Sequence, residues 1–237
     1  MRITPSVSNC CSHETRRGFL KTAGIATAAA LLSAGPLAQI AYAAALTKAQ
    51  RDKLTPDEII ALMKRGNERF RSGKKSTQDF LAQQRASAKG QYPAAVILSC
   101  IDSRASAETI MDLGIGDVFN ARVAGNIAND DILGSMEFAC AAAGAKVVLV
   151  MGHTACGAIA GAIDDVKLGN LTGLLARIQP AVKAATYQGD RSAKNSAFVD
   201  AVARKNVELT MESIQKGSSV LSEIGRASCR ERVCNDV

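Results

Sequence analysis

The sequence predicts an α/β fold with a mainly parallel β-sheet flanked by helices, and three observations carry that expectation. Two short apolar runs, PAAVILSC at 93–100 and KVVLVMG at 146–152, have the continuous hydrophobicity of strands buried on both faces. Segments with helical spacing of apolar residues lie before, between and after them, so strands and helices alternate. No stretch repeats another, which excludes a stacked-repeat architecture. With 237 residues, 47% of them hydrophobic, and a mean hydropathy of +0.05, the chain can build a core but not many membrane spans.

Residues 1–43 read as an export signal. TRRGFLK at 15–21 resembles the twin-arginine motif, with Thr15 where Ser is commoner. An apolar run follows over 22–40, then AYA at 41–43 supplies small residues for cleavage. The run is rich in Ala and Gly and broken by Pro36, a poor membrane span. The expectation is therefore a mature chain from Ala44, exported to the periplasm, with membrane contact only during passage. The twin-arginine route carries proteins already folded, often with their cofactor.

The core domain is expected over 44–223. Thr55 is placed to cap a helix with Pro56 in its first turn, Ile59, Ile60, Met63 and Phe70 as its apolar stripe, and Gly73 as its end. The polar stretch from there to Gln91 reads as an arm or loop. The first buried strand ends at Cys100. Ser106 then caps a short helix, 117–125 is strand-like, and a helix closed by Gly144 precedes the second buried strand. A helix starts in TACGAIAGAI after 153, and longer helical patterns cover 172–185, kinked or split at Pro180, and 195–216. The glycines at 114 and 116 lack the third glycine of a dinucleotide loop.

The tail differs. EIGRASCRERV at 223–233 has no apolar periodicity and reads like a translated sequencing adapter, so 224–237 is expected to be artefactual.

The net charge of +7 points first to nucleic acid, but residues 44–223 carry 22 bases against 19 acids, with no basic block and few aromatics to stack on bases. No nucleic-acid partner is expected. Of seven cysteines, Cys10 and Cys11 precede the signal motif, and Cys229 and Cys234 lie in the tail. Cys100, Cys140 and Cys156 remain, too few for a disulfide framework.

The chemistry gathers at the C-terminal ends of the two buried strands, where sites form in open α/β sheets. The first strand delivers Cys100. The second delivers His153 and, in GHTACG, Cys156. Two thiolates and an imidazole suit zinc, and three protein ligands leave a fourth position open for catalysis. Asp102 and Arg104 follow Cys100 at alternate positions. Asp102 has two available roles: a fourth ligand that closes the site, or the partner of Arg104, which leaves the metal open.

CIDSR with HTACGA resembles the β-class carbonic anhydrases, and the likeness extends over about 56–222, including QYPAAVILSC, DVFNARVAGNIA and GSMEFA. The resemblance implies that Cys100, His153 and Cys156 bind one zinc ion per chain and that Asp102 and Arg104 form a dyad beside it. It implies that Gln91 donates a hydrogen bond to substrate and that Phe119 forms an apolar wall with Val123 and Gly125. Phe138 stands where many relatives have Tyr, so a hydrogen bond of theirs is missing. A homodimer or larger homo-oligomer is implied, with active sites at the subunit interface and an N-terminal helical arm around the partner. A final strand is implied after Ser222; with the adapter-like tail in its place, that strand is expected to be missing.

The activity so implied is zinc-dependent reversible hydration of carbon dioxide to bicarbonate and a proton. Hydrating an apolar molecule needs an apolar pocket and hydroxide at moderate pH, which zinc supplies. Two thiolates donate more charge than imidazoles do, which pushes activity toward alkaline pH. Two alternatives share these residues: hydrolysis of carbonyl sulfide or carbon disulfide, and a non-catalytic zinc protein with Asp102 on the metal.

Overall fold

The computed structural model describes residues 45–227 and 232–235, with side chains as far as residue 223. The expected export signal lies outside the described residues, and so does His13.

Two capped helices open the described chain. Helix α1, Lys48–Lys53, has a reciprocal cap between Thr47 and Gln50. Helix α2, Pro56–Arg71, starts where expected: the Thr55 hydroxyl accepts from Glu58 N, Glu58 reaches back to Thr55 N, and Pro56 occupies the first turn. Gly73, at φ 70°, takes the chain out of the helix. The polar stretch beyond it is partly helical, which departs from the simple arm or loop expected. Asp79 caps α3, Phe80–Ser87, and Gln83 is buried at 1% exposure. The Gln83 side chain accepts from Ile115 N at 2.9 Å, a tertiary bond that apolar periodicity does not reveal.

Strands β1 (Ala95–Ser99), β2 (Val118–Arg122) and β3 (Val147–His153) are parallel, with β1 in the middle. All five residues of β1 are buried. Ala95 and Ile97 pack with Ile59, Ile60, Met63, Ile110 and Leu149, whereas Val96 and Leu98 pack with Met136, Val150 and Val207 on the other face. The continuous apolar run thus has helices on both sides.

Between the strands lie α4 (Ala107–Ile110) and α5 (Asp130–Glu137), the latter running into a π-helical turn over Phe138–Ala142. Gly144, at φ 80°, ends it, and Arg51 Nη1 donates to Ala143 O at 2.7 Å. After β3 come α6 (Gly157–Ile163), α7 (Gly169–Ala176), α8 (Gln179–Ala184) and α9 (Ser196–Gly217). Pro180 sits in the first turn of α8, so it splits the expected helix rather than kinking it. Helix α10, Ser219–Ala227, follows. No described helix is long and apolar enough to cross a membrane.

The C-terminus corrects one expectation. The sheet was expected to lack a final strand, yet β4, Arg232–Asn235, runs parallel to β3 and gives the order β2-β1-β3-β4. Its register sets Val150 against Arg232 and His153 against Asn235. Strand pairing joins backbone to backbone, so a short tail of unpromising sequence can still fill an open edge.

Candidate metal centre

Adjacent strand ends create the site. In the β1–β3 register Ser99 pairs with Met151, so Cys100 leaves β1 beside the last residues of β3. His153 is the final residue of β3, and Cys156 is the cap residue of α6 after a turn in which Ala155 takes φ 50°. Residues far apart in sequence thereby converge: the donor atoms of Cys100, His153 and Cys156 all lie within 4.8 Å of one another, and all three residues are buried.

The donors fit zinc. The two sulfurs are free thiols 4.0 Å apart. Tetrahedral zinc with Zn–S bonds of about 2.3 Å spaces two sulfurs about 3.8 Å apart. His153 Nδ1 lies 2.8 Å from Thr154 O and donates to it, which fixes the tautomer and leaves Nε2 as the lone-pair nitrogen. Nε2 is buried with no hydrogen-bond partner, as expected of a metal donor. The Cys156 thiol beside Cys100 draws the ionisation of Cys100 well below the ordinary thiol value, and the same contact holds Cys156 up. Contact with Cys100 raises His153. Three groups this close compete for the same protons, and a divalent cation replaces those protons when it binds.

Asp102 takes the second of its two available roles. Arg104 Nε donates to Oδ1 at 3.0 Å, Nη2 donates to Oδ2 at 2.8 Å, and Arg104 N adds a bond to Oδ1 at 2.9 Å. This fork holds the Asp102 carboxyl far below the usual carboxylate range and raises Arg104 in turn. Asp102 Oδ2 still faces the site, 3.9 Å from His153 Nε2.

The other expected residues divide into two groups. Gly125 reaches the metal donors: its N–H donates to Cys100 Sγ at 3.3 Å. Only glycine serves there, because φ is 68° and an added Cβ would stand 2.5 Å from Ile178 Cδ1. Val123 lies close by, packed against the cluster that holds Cys100 and Cys156. Gln91, Phe119 and Phe138 are not brought to the metal donors within this chain. Gln91 is exposed ahead of β1, at the opposite end of the strand from Cys100. Phe119 pairs with Val96, which at about 3.3 Å per residue puts it about 13 Å along β1 from Cys100. Phe138 is 59% exposed and meets the Phe119 ring edge-on at 6.2 Å. Both rings line a separate groove of about 570 Å³ between β2 and α5.

Two supporting residues escaped the sequence reading. Arg122, at the end of β2, donates to Cys100 O at 2.9 Å and to Asp102 O at 2.6 Å, so it straps the loop that carries both. Asn206, buried on α9, donates to Gly125 O at 2.7 Å. The signal for Asn206 was present: an amide side chain at a core position of the α9 stripe between Val202 and Val207. Arg122 carries no such signal, because an exposed arginine at a strand end is ordinary.

Comparison with known proteins agrees with this geometry. A family model described as carbonic anhydrase matches residues 95–230. The chain is 35% identical over 167 residues to a Mycobacterium tuberculosis (strain ATCC 25618 / H37Rv) protein named carbonic anhydrase 2, covering 68% of this chain and 78% of that one. It is 29% identical over 167 residues to the carbonic anhydrase of Mycolicibacterium smegmatis, with coverage of 68% and 78%. Among solved structures, a tetrameric β-carbonic anhydrase from Sordaria macrospora superposes with a TM-score of 0.54 at 27% identity, covering 63% of this chain and 78% of that one. A β-carbonic anhydrase of Aspergillus fumigatus shares the fold, with a TM-score of 0.57 at 24% identity over 75% and 86% of the two chains.

Proposed function

The chain belongs to the carbonic anhydrase family, in its β class, and from that premise we infer how its residues carry out the reversible hydration of carbon dioxide to bicarbonate and a proton. The observation that carries the reading is the buried trio of Cys100, His153 and Cys156, with an orphaned His153 Nε2 and an Asp102 tied to Arg104 beside it. Those three residues hold zinc, which when bound is a Lewis acid that brings the ionisation of a coordinated water toward neutral pH.

The chain's own groups do the rest. The Arg104 fork occupies both oxygens of Asp102, so the carboxylate is not free to become a fourth metal ligand. Because Arg104 keeps Asp102 ionised, its Oδ2 is a permanent acceptor rather than a proton store. It accepts a hydrogen bond from the attacking water and so aims a lone pair at the substrate carbon. Arg122 holds the backbone of both Cys100 and Asp102, which keeps ligand and acceptor in one frame. Val123 and Gly125 form the near wall of the pocket.

We read Gln91, Phe119 and Phe138 as parts of a neighbouring subunit's site. They lie away from this chain's own metal donors, and the family resemblance puts active sites at subunit interfaces. The working unit is then a homodimer or a larger homo-oligomer. Export by the twin-arginine route to the periplasm is supported by TRRGFLK and the AYA cleavage pattern, and folded export lets the thiolates cross already metallated. We read residues 224–237 as adapter-derived sequence that fills a sheet edge.

The test is zinc analysis and carbon dioxide hydration on the chain from Ala44 onward. About one zinc per chain with hydration activity is expected. Carbonyl sulfide hydrolysis that outpaces hydration would assign the pocket to the other substrate.

A further inference from the structure

Asn206 is 2% exposed, and its amide donates not to a metal donor but to the loop beside Cys100. That loop is conformationally demanding. Gly125 takes φ 68° and ψ 20°, and Asn126, immediately after it, takes φ 41°. Gly and Asn are the residue types that enter the left-handed region most readily, so this backbone path is accessible here, but it is not fixed by the two residues themselves. Gly125 has no side chain with which to anchor itself, since Ile178 occupies the space. The tie comes from outside: Asn206 Nδ2 on the Gly125 carbonyl at 2.7 Å, across 81 residues of sequence. The same glycine points its N–H at Cys100 Sγ.

We propose that Asn206 is a positioning residue for the metal centre: through the Gly125 carbonyl it holds the Gly125 N–H on the Cys100 sulfur, and so limits the charge that this thiolate gives to the metal. The effect on the sulfur is electronic. An amide hydrogen bond withdraws density from a thiolate, so its presence leaves a bound metal more electrophilic, and its loss makes the sulfur a stronger donor. Nothing else in the residue's setting accounts for an amide there, because an apolar side chain would suit the stripe of Val199, Val202 and Val207.

The inference rests on the metal centre, and its test separates the two. Wild-type protein and Asn206→Leu are prepared with cobalt in place of zinc. The expected result is a thiolate-to-cobalt charge-transfer band at longer wavelength in N206L, and zinc lost to a chelator about tenfold faster, because the untied Gly125 loop no longer frames Cys100 and an unshielded, more basic thiolate is more readily protonated off the metal. Ile214→Ala, on the same helix but away from the loop, should lower stability and move neither readout. Should N206L not fold, Asn206→Ala is measured in its place. A third measurement needs no variant: with cadmium-113 in the wild-type protein, the Gly125 amide proton should show scalar coupling to the metal through sulfur. An unmoved band with unchanged zinc loss in a folded Asn206 variant overturns the role of Asn206, and so does a cadmium-loaded wild type without that coupling. Wild-type protein that takes up none of these metals overturns the centre itself.

Discussion

Cys156→Ser changes one atom and tests the centre most directly. A hydroxyl keeps the cap position of α6 but is a poor zinc ligand, so zinc content and hydration activity should fall together. Full zinc with full activity in this variant would remove Cys156 from the ligand set. Arg104→Ala has a different expected signature. Asp102 loses its fork and becomes free to swing onto the metal, so zinc should stay while turnover falls on the order of 100-fold. Near-normal turnover in R104A would count against the dyad. A third expectation comes from scarcity. The chain has two histidines, His13 in the segment we read as an export signal and His153 among the metal donors. No other imidazole exists to carry the product proton away. Turnover should therefore rise with imidazole-type buffer at fixed pH and ionic strength; a rate flat from the lowest buffer concentration would reveal an internal carrier. At this scale the sequence was most informative: the donors and the dyad were legible because their residue types are chemically specific. Asn206 and Arg122 were not, because they act through backbone carbonyls that any residue could present.

Helix α2 shows how an element can be predicted while its seating is not. Its cap, stripe and terminator were all readable from residues 55–73. The close approach of Gly66 to the turn that ends α4 was not: an added Cβ would stand 1.8 Å from Met111 O. At an exposed helical position Gly→Ala gains about 1 kcal/mol. Here the collision costs about 3 kcal/mol or more, so Gly66→Ala should destabilise the protein in urea or thermal unfolding. The turn between α4 and β2 carries a pH expectation. Burial pushes the Asp117 carboxyl up to about 6, although it accepts from Gly114 N at 2.8 Å. Its folded value lies above the unfolded one, so the folded state binds the extra proton between about pH 4 and 6. Stability attributable to Asp117 must then decline as pH rises through that window, by about 2–3 kcal/mol. Asp117→Asn should flatten that part of the profile relative to wild type; parallel profiles would show that Asp117 titrates normally. Helix α3 escaped prediction for a related reason. Its order comes from Gln83 reaching Ile115 N, a tertiary bond invisible to local pattern.

For the whole molecule, the sheet order was legible in outline and incomplete at its margins. Alternating strands and helices implied parallel pairing, but β4 could not be foreseen in a segment without strand periodicity. Removing residues 224–237 should uncover the β3 edge that ends at His153, lowering the unfolding midpoint and promoting association. An unchanged midpoint would show that β4 contributes nothing to stability. The distance between Phe119 and the chain's own metal donors gives the assembly test. A Cys156→Ser chain and a Phe119→Ala chain, each weakly active alone, should regain activity when refolded together, because the mixed dimer holds one complete site. Activity that stays at the sum of the two would place the aromatic wall elsewhere. The pairing of Ser99 with Met151 also has a consequence in time. The metal donors come from two separate stretches of chain that meet only after β1 and β3 have docked, so metal capture reports a late event in folding. Followed during refolding, the capture signal should lag the burial of the sheet and never run ahead of it, which makes the cation a clock for the completion of the fold.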